Sequence, residues 1–139
     1  MAVGPMITLG LPEPKTDDAV RALPASQHLL DILADWNLDL EAAGQEPVRL
    51  RVGLHYGPVI AALLGGERQG QITVAGDTVN VASRLQEMGK EHKATIVASA
   101  EFVASVRKAH RDDMLTGMRR LADQQVRGRD ETIDLWVWP

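Results

Sequence analysis

Apolar and polar positions alternate with a helical period in the first third of the chain. Apolar residues recur at spacings of three and four after Asp17, which predicts a helix that continues to about Gly44. The predicted buried face of this helix contains Leu29, Leu33, Trp36 and Leu40. Pro24 falls early in the segment, and a proline there predicts a kink or a late start of the helix.

The period then changes to two, which is typical of strands. Residues 48–56 alternate apolar and polar side chains and form the clearest predicted strand. The first ten residues, MAVGPMITLG, are an apolar run that predicts a short buried strand. Residues 57–70 have glycine at both ends and predict a hairpin-like excursion, and QITVA (71–75) predicts the strand after it.

The second half of the chain alternates helices and strands. Asp77 or Thr78 is predicted to cap a helix that ends near Gly89 and buries three apolar residues, Val81, Leu85 and Met88. ATIVA (94–98) predicts a strand, and Ser99 is predicted to cap a helix that continues to about Ala109. MRRLADQQV and TIDLWVW predict a final strand pair. This order predicts an α/β or α+β sandwich.

Composition limits the classes of function. With 139 residues, of which 45% are hydrophobic, the chain suffices for one domain. One Tyr, one Phe and three Trp offer little base stacking, and the net charge of −4 does not favour a duplex-binding face, so no nucleic-acid partner is expected. Cysteine is absent and no apolar run approaches a membrane span. A soluble, cytoplasmic chain is expected.

Two polar residues on the helix after Gly76 suggest a binding chemistry. Asn80 and Arg84 are four residues apart, so they share one helix face, and both lie off the predicted apolar stripe. An amide can bind a ribose oxygen, while a guanidinium presents a fork of N–H donors to a phosphate. The spacing alone favours an ordinary solvated helix face over a binding site.

Longer motifs surround these residues. RVGLHYGPVIAALLGG (51–66) and ITVAGDTVNVASRLQ (72–86) resemble the catalytic domain of class III adenylate and guanylate cyclases. LGLPEPKTDDAVRAL (9–23) and VRGRDETIDLWVW (126–138) are similar to two further segments of that family. The resemblance covers nearly the whole chain, so residues 1–139 are expected to be a partial class III cyclase domain with an incomplete ferredoxin-like fold.

The resemblance implies roles for five residues. Asn80 would orient the ribose, and Arg84 would stabilise the pentacoordinate phosphorus as the 3′-hydroxyl attacks the α-phosphate. Arg127 would hold the outgoing phosphates, with Arg129 as a weaker candidate for the same role. Thr73 would contact the purine of a nucleoside triphosphate, which leaves the choice between ATP and GTP open.

The family binds two divalent cations, Mg²⁺ or Mn²⁺, through two aspartates, and this chain lacks both. The segment with the first aspartate is absent, and Val3 stands where the second is expected. The resemblance therefore implies a homodimer, or a heterodimer with another cyclase domain, in which a partner or a missing N-terminal segment supplies the metal ligands. His55, on the polar side of its strand, is expected to be a structural histidine rather than a metal ligand.

Three interpretations follow. The first is a cyclase-like domain that converts ATP to cyclic AMP and pyrophosphate in signalling when the metal ligands come from elsewhere. The second is an inactive dimerisation or regulatory module that binds nucleotide without converting it. The third is a fragment of a longer active enzyme.

Overall fold

The computed structural model describes residues 4–64 and 71–139 of the chain. The elements in these ranges follow one another in the order α1 (Asp18–Ala42), β1 (Val52–Leu54), β2 (Ile60–Leu64), β3 (Gln71–Ala75), α2 (Asp77–Glu91), β4 (Ile96–Ser99), α3 (Ala100–Lys108), a 3-10 turn (Asp112–Leu115), β5 (Arg119–Gln124) and β6 (Ile133–Trp138).

Four of the described strands form one sheet in the order β1-β4-β6-β5. β1 and β4 run parallel, while β6 pairs antiparallel with both β4 and β5. β2 and β3 form a separate antiparallel hairpin, in which Thr73 lies opposite Ala62. This hairpin confirms the excursion predicted after residue 57, although residues 65–70 lie outside the described part of the chain.

Helices cover both faces of the four-stranded sheet. On one face Ile96 of β4 packs in a cluster with Leu23 of α1 and Val103 of α3. On the other face Val97 of β4 packs with Leu85 of α2. The strand β4 is buried along its whole length and contributes side chains to both clusters. Burying a side chain of this size contributes about 1.5–3 kcal/mol to stability. This arrangement confirms the predicted α/β sandwich.

The elements predicted for the second half of the chain are confirmed. Helix α2 buries Val81 and Leu85 and partly buries Met88. Ser99 caps α3, because its Oγ accepts a hydrogen bond from the Phe102 backbone N–H at 3.1 Å. The last two strands pair as predicted, with an irregularity in the register between Leu121 and Gln124.

The strand predicted for the first ten residues is wrong for the residues that the structure describes. Residues 4–10 have no regular structure, and the side chains of Met6 and Ile7 are 51% and 73% exposed. A strand forms where a neighbouring strand completes its backbone hydrogen bonds, and no strand of the described ranges pairs with this segment. Residues 1–3 lie outside the description.

The strand predicted for residues 48–56 is shorter than expected, because it is limited to Val52–Leu54. The side chain of Asn37 on α1 accepts a hydrogen bond from Val48 N at 2.7 Å and donates one to Val48 O at 2.8 Å. Val48 therefore satisfies its backbone groups with an amide side chain instead of a neighbouring strand.

The buried face predicted for the first helix is also wrong. Leu29 and Trp36 are 41% and 52% exposed, and the buried apolar residues are Ala19, Val20 and Leu23 in the first two turns. A helix of 25 residues is about 37 Å long, whereas the strands beneath it have three to six residues. The second half of α1 therefore lies beyond the sheet.

Helix α1 starts at Asp18 and contains Pro24, so the predicted late start is wrong. None of the helices in residues 4–64 and 71–139 has the length and apolar character needed to cross a membrane.

Candidate functional site

Two glycines let helix α2 approach the strand and loop that precede it. A Cβ on Gly53 of β1 would lie 2.6 Å from Gln86 N and 3.2 Å from Gln86 Cα, so the α2 backbone rests directly on this strand. A Cβ on Gly57 would lie 2.6 Å from Thr78 Oγ1. The segment RVGLHYGPV thus positions the helix that presents Asn80 and Arg84.

The start of α2 differs from the prediction. Gly76, at φ +127°, is the residue before the first turn, and no side chain caps the helix. Thr78 Oγ1 instead donates a hydrogen bond to Pro58 O at 2.5 Å, which ties the loop after β1 to the first turn of α2. Asp77 and Thr78 both lie within the first turn, after the cap position that Gly76 occupies, so the predicted capping by Asp77 or Thr78 is wrong.

Arg84 contacts the loop between β5 and β6. Its guanidinium packs on the α-carbon of Gly128, where a Cβ would lie 2.8 Å from Arg84 Cζ and 3.1 Å from Nη2. Gly128 also has φ +89°, a conformation that favours glycine. No carboxylate within the described ranges lies in salt-bridge distance of Arg84. Arg84 is half-buried. Because no carboxylate of these ranges binds its guanidinium, its N–H donors can bind an anion.

The remaining predicted residues lie in different surroundings. Asn80 is exposed one turn before Arg84, and Arg127 is exposed next to Gly128. Arg129 is bound, because its Nη1 donates to Glu101 Oε1 at 2.8 Å. Thr73 is exposed on the separate hairpin, and no hydrogen bond found in the described part of the chain joins it to the other four. The structure therefore brings Arg84 to the Arg127–Arg129 turn.

Sequence reasoning missed a polar cluster beside this turn. His55 Nδ1 lies 2.7 Å from Ser99 Oγ and 3.9 Å from Glu101 Oε2. The His55 side chain is 3% exposed, so the expectation that it lies on a polar strand face is wrong. Its contact with Ser99 fits the structural role expected for it. The sequence offers one signal for the cluster, namely that Ser99 and Glu101 both belong to the start of α3.

Burial and charge shift both titratable members of the cluster. Burial lowers the pKa of His55, and the Glu101 carboxylate opposes this shift only in part. Burial acts to raise the pKa of Glu101, but its own backbone N–H and the Arg129 guanidinium together lower it. At neutral pH the cluster therefore holds a neutral imidazole beside an ionised carboxylate.

These shifts predict two pH windows in which stability falls. The unfolded chain binds a proton at His55 below its ordinary pKa of 6.5, where folded His55 does not, so the free energy of unfolding decreases as the pH falls below about 6.5. The contribution of Glu101 is present above its ordinary pKa of 4.5 and is lost as the pH falls below it. Urea unfolding between pH 7.5 and 3.5 measures both windows.

His55→Gln is expected to remove the decline in the upper window, and Glu101→Gln that in the lower one. The His110→Gln variant serves as a control for the upper window, because His110 is exposed on the surface. A His55→Gln variant with the same pH dependence as the parent would contradict the assignment.

The described residues do not fit a two-cation site. Within residues 4–64 and 71–139 no group of three or more His, Asp or Glu side chains is placed to bind a metal ion. Asp18, near the start of α1, uses its carboxylate to accept hydrogen bonds from Lys15 N at 2.7 Å and from Arg21. Val3, which was aligned with a family aspartate, lies outside the described residues.

Comparisons with known proteins agree with the motifs. The family described as the adenylate and guanylate cyclase catalytic domain matches residues 4–138. Adenylate cyclase 1 of Rhizobium meliloti is 34% identical over 104 residues, which are 75% of this chain and 15% of that protein. The chain therefore spans a small part of this relative.

Solved structures of cyclases have a similar fold. The guanylyl cyclase Cya2 matches with a TM-score of 0.69 and 23% identity, over 93% of this chain and 61% of that one. The catalytic core of a rhodopsin-guanylyl cyclase with converted specificity, in complex with ATPαS, matches with a TM-score of 0.61 and 28% identity, over 93% and 63% of the two chains. The chain belongs to the adenylate and guanylate cyclase catalytic domain family.

Proposed function

We propose that residues 1–139 act as part of a cytoplasmic, class III nucleotide cyclase that converts ATP to cyclic AMP and pyrophosphate in signal transduction. The observation that carries this proposal is the Arg84 guanidinium, which is fixed against Gly128 and has no carboxylate partner in the described ranges. Its position on the face shared with Asn80, inside a chain that matches the cyclase family over residues 4–138, supports the assignment.

In the proposed reaction the 3′-oxygen of ATP forms a bond to the α-phosphorus, the bond from that phosphorus to the bridging oxygen breaks, and pyrophosphate leaves. The proton of the hydroxyl passes to solvent. Negative charge develops on the phosphoryl oxygens, so a preset guanidinium at Arg84 lowers the barrier. The Asn80 amide orients the ribose through a hydrogen bond, and Arg127 binds the outgoing phosphates through its exposed guanidinium.

Base recognition is assigned to Thr73, whose exposed side chain on β3 offers a hydroxyl that donates and accepts hydrogen bonds. ATP is proposed from the adenylate cyclases that match 75% and 96% of the chain, and because a guanylyl cyclase matches 91% of it, the assay compares both nucleotides. The metal aspartates belong to another cyclase domain that acts as the partner, or to a segment outside these residues, because a second copy of residues 1–139 would lack the same aspartates.

The proposal is tested by complementation. The 139-residue chain is mixed with a cyclase domain that has both metal aspartates but lacks its own counterpart of Arg84, in Mn²⁺ with ATP or GTP. Cyclic nucleotide, measured by chromatography, is expected from ATP and only in the mixture. The absence of product, together with the absence of heat on titration of either nucleotide into every mixture, would reject the proposal.

A second candidate is an interaction module that binds nucleotide without converting it. The exposed apolar side chains in the second half of α1 favour this reading, since Ile32, Trp36 and Leu38 are 52%, 52% and 66% exposed. Under this alternative the mixture binds nucleotide and forms a complex but yields no product. Arg84→Ala would then leave the affinity for the partner unchanged.

A further inference from the structure

The turn between β5 and β6 is held from two helices. On one side, the Arg84 guanidinium from α2 packs on Gly128. On the other side, Glu101 from α3 accepts a hydrogen bond from Arg129 Nη1 at 2.8 Å. Gly128 directly precedes Arg129 along the chain, so a displacement at Arg129 reaches the surface on which Arg84 rests.

Arg129 is fixed at its main chain as well as at its side chain. Its backbone N–H donates to Val126 O at 3.0 Å, and its carbonyl accepts from Gln125 Nε2 at 2.7 Å. Val126 is fully buried in the core beside α2. The turn therefore has a rigid base, and the Arg129 side chain connects it to α3.

Glu101 is held through one carboxylate oxygen. Oε1 binds Arg129, while Oε2 is buried and faces His55 Nδ1 at 3.9 Å without a hydrogen bond in the described part of the chain. His55 is in turn fixed by Ser99 Oγ at 2.7 Å. The charge-assisted hydrogen bond from Arg129 Nη1 to Oε1 gives the Arg129 guanidinium a defined position against α3.

We propose, on the basis of the function proposed above, that Glu101 is a positioning residue for Arg84. By holding Arg129, Glu101 keeps Gly128 under the Arg84 guanidinium and so directs its free N–H groups toward the α-phosphate. Arg129 is then a residue that holds the turn rather than a phosphate ligand, which leaves Arg127 as the cation for the leaving pyrophosphate.

This proposal separates two roles for Arg129 by kinetics. If Arg129 bound phosphate, Glu101→Gln would release its guanidinium toward the nucleotide and lower KM. If Glu101 positions Arg84 through Arg129, the same change misaligns a group that acts in the transition state, so kcat falls about 10-fold or more while KM is little changed.

A spectroscopic test needs no activity. The ¹⁵N heteronuclear NOE of the Arg84 Nε–Hε group, assigned through its loss in Arg84→Lys, reports the mobility of this side chain. We expect a restrained group in the parent chain and a mobile one in both Glu101→Gln and Arg129→Gln. The matched control is Arg120→Gln, which removes the exposed Arg120–Asp134 pair from the same strand pair and is expected to leave Arg84 restrained.

An Arg84 signal that is unchanged in both variants overturns the proposal. Reversal of the pair, Glu101→Arg with Arg129→Glu, is expected to restore the restrained signal, which separates the ion pair from general damage to the fold. If the parent mixture forms no cyclic nucleotide while the Arg84 signal responds as expected, the proposed function fails and the link from Glu101 to Arg84 stands. If product forms while the Arg84 signal does not respond, the proposed function stands and the link from Glu101 to Arg84 fails.

Discussion

Replacing Arg84 with alanine is expected to lower the rate of cyclic nucleotide formation in the complemented mixture by about 100- to 1000-fold, the usual effect of removing one donor to a developing oxyanion. Arg84 has this weight because its guanidinium is already oriented by Gly128 before nucleotide binds. Initial rates of cyclic AMP formation at saturating ATP measure the effect, which should appear in kcat more than in KM.

Arg84→Lys separates charge from geometry. Lysine keeps the positive charge but loses the planar fork and the flat contact with Gly128, so it is expected to recover only a small part of the rate. Arg119→Ala is the matched control, because Arg119 is an exposed arginine on β5 and belongs to neither α2 nor the turn between β5 and β6. Equal rates for the parent and Arg84→Ala mixtures would remove Arg84 from the reaction.

Elements set by local pattern could be predicted from the sequence. Helix α2 follows the apolar period of Val81 and Leu85, and α3 follows the Ser99 cap, so both depend on residues within a few positions of each other. The shared face of Asn80 and Arg84 is likewise a consequence of helical spacing. Their catalytic roles remain predictions that come from the family resemblance.

Elements set by distant partners could not be predicted. The alternation over residues 48–56 did not reveal that the Asn37 amide binds the backbone of Val48, 11 positions later. The apolar period of α1 did not reveal that the sheet ends beneath its first turns. In both cases the sequence has the local pattern of a strand or of an apolar helix face, but the described structure places no strand beside residues 48–51 and no sheet beneath the second half of α1.

The surroundings of the candidate site show the same limit. The contact of Arg84 with Gly128 joins residues 44 positions apart, and the ion pair of Arg129 with Glu101 joins residues 28 positions apart. No periodicity connects such residues. The sequence therefore indicated which side chains have suitable chemistry, while the structure identified which of them are already bound to one another.

The largest effect on stability is expected from Gly53→Ala, at about 3 kcal/mol, the upper end of the usual range for overpacking. The added Cβ would lie 2.6 Å from Gln86 N and would also meet Ala82 O, and both groups belong to the α2 backbone. A side chain can rotate away from such a contact, but a helix backbone can relieve it only by moving as a whole. Urea unfolding followed by tryptophan fluorescence measures the loss.

Gly4→Ala is the matched control, because a Cβ there meets nothing within 4 Å. In open surroundings a change from glycine to alanine leaves stability nearly unchanged or raises it by up to about 1 kcal/mol, since alanine restricts the unfolded chain. The same added methyl group is therefore expected to lower the free energy of unfolding at position 53 and not to lower it at position 4. A Gly53→Ala chain that unfolds at the same urea concentration as the parent would show that α2 does not rest on β1. Because α2 presents Asn80 and Arg84, that result would also contradict the position described for Arg84.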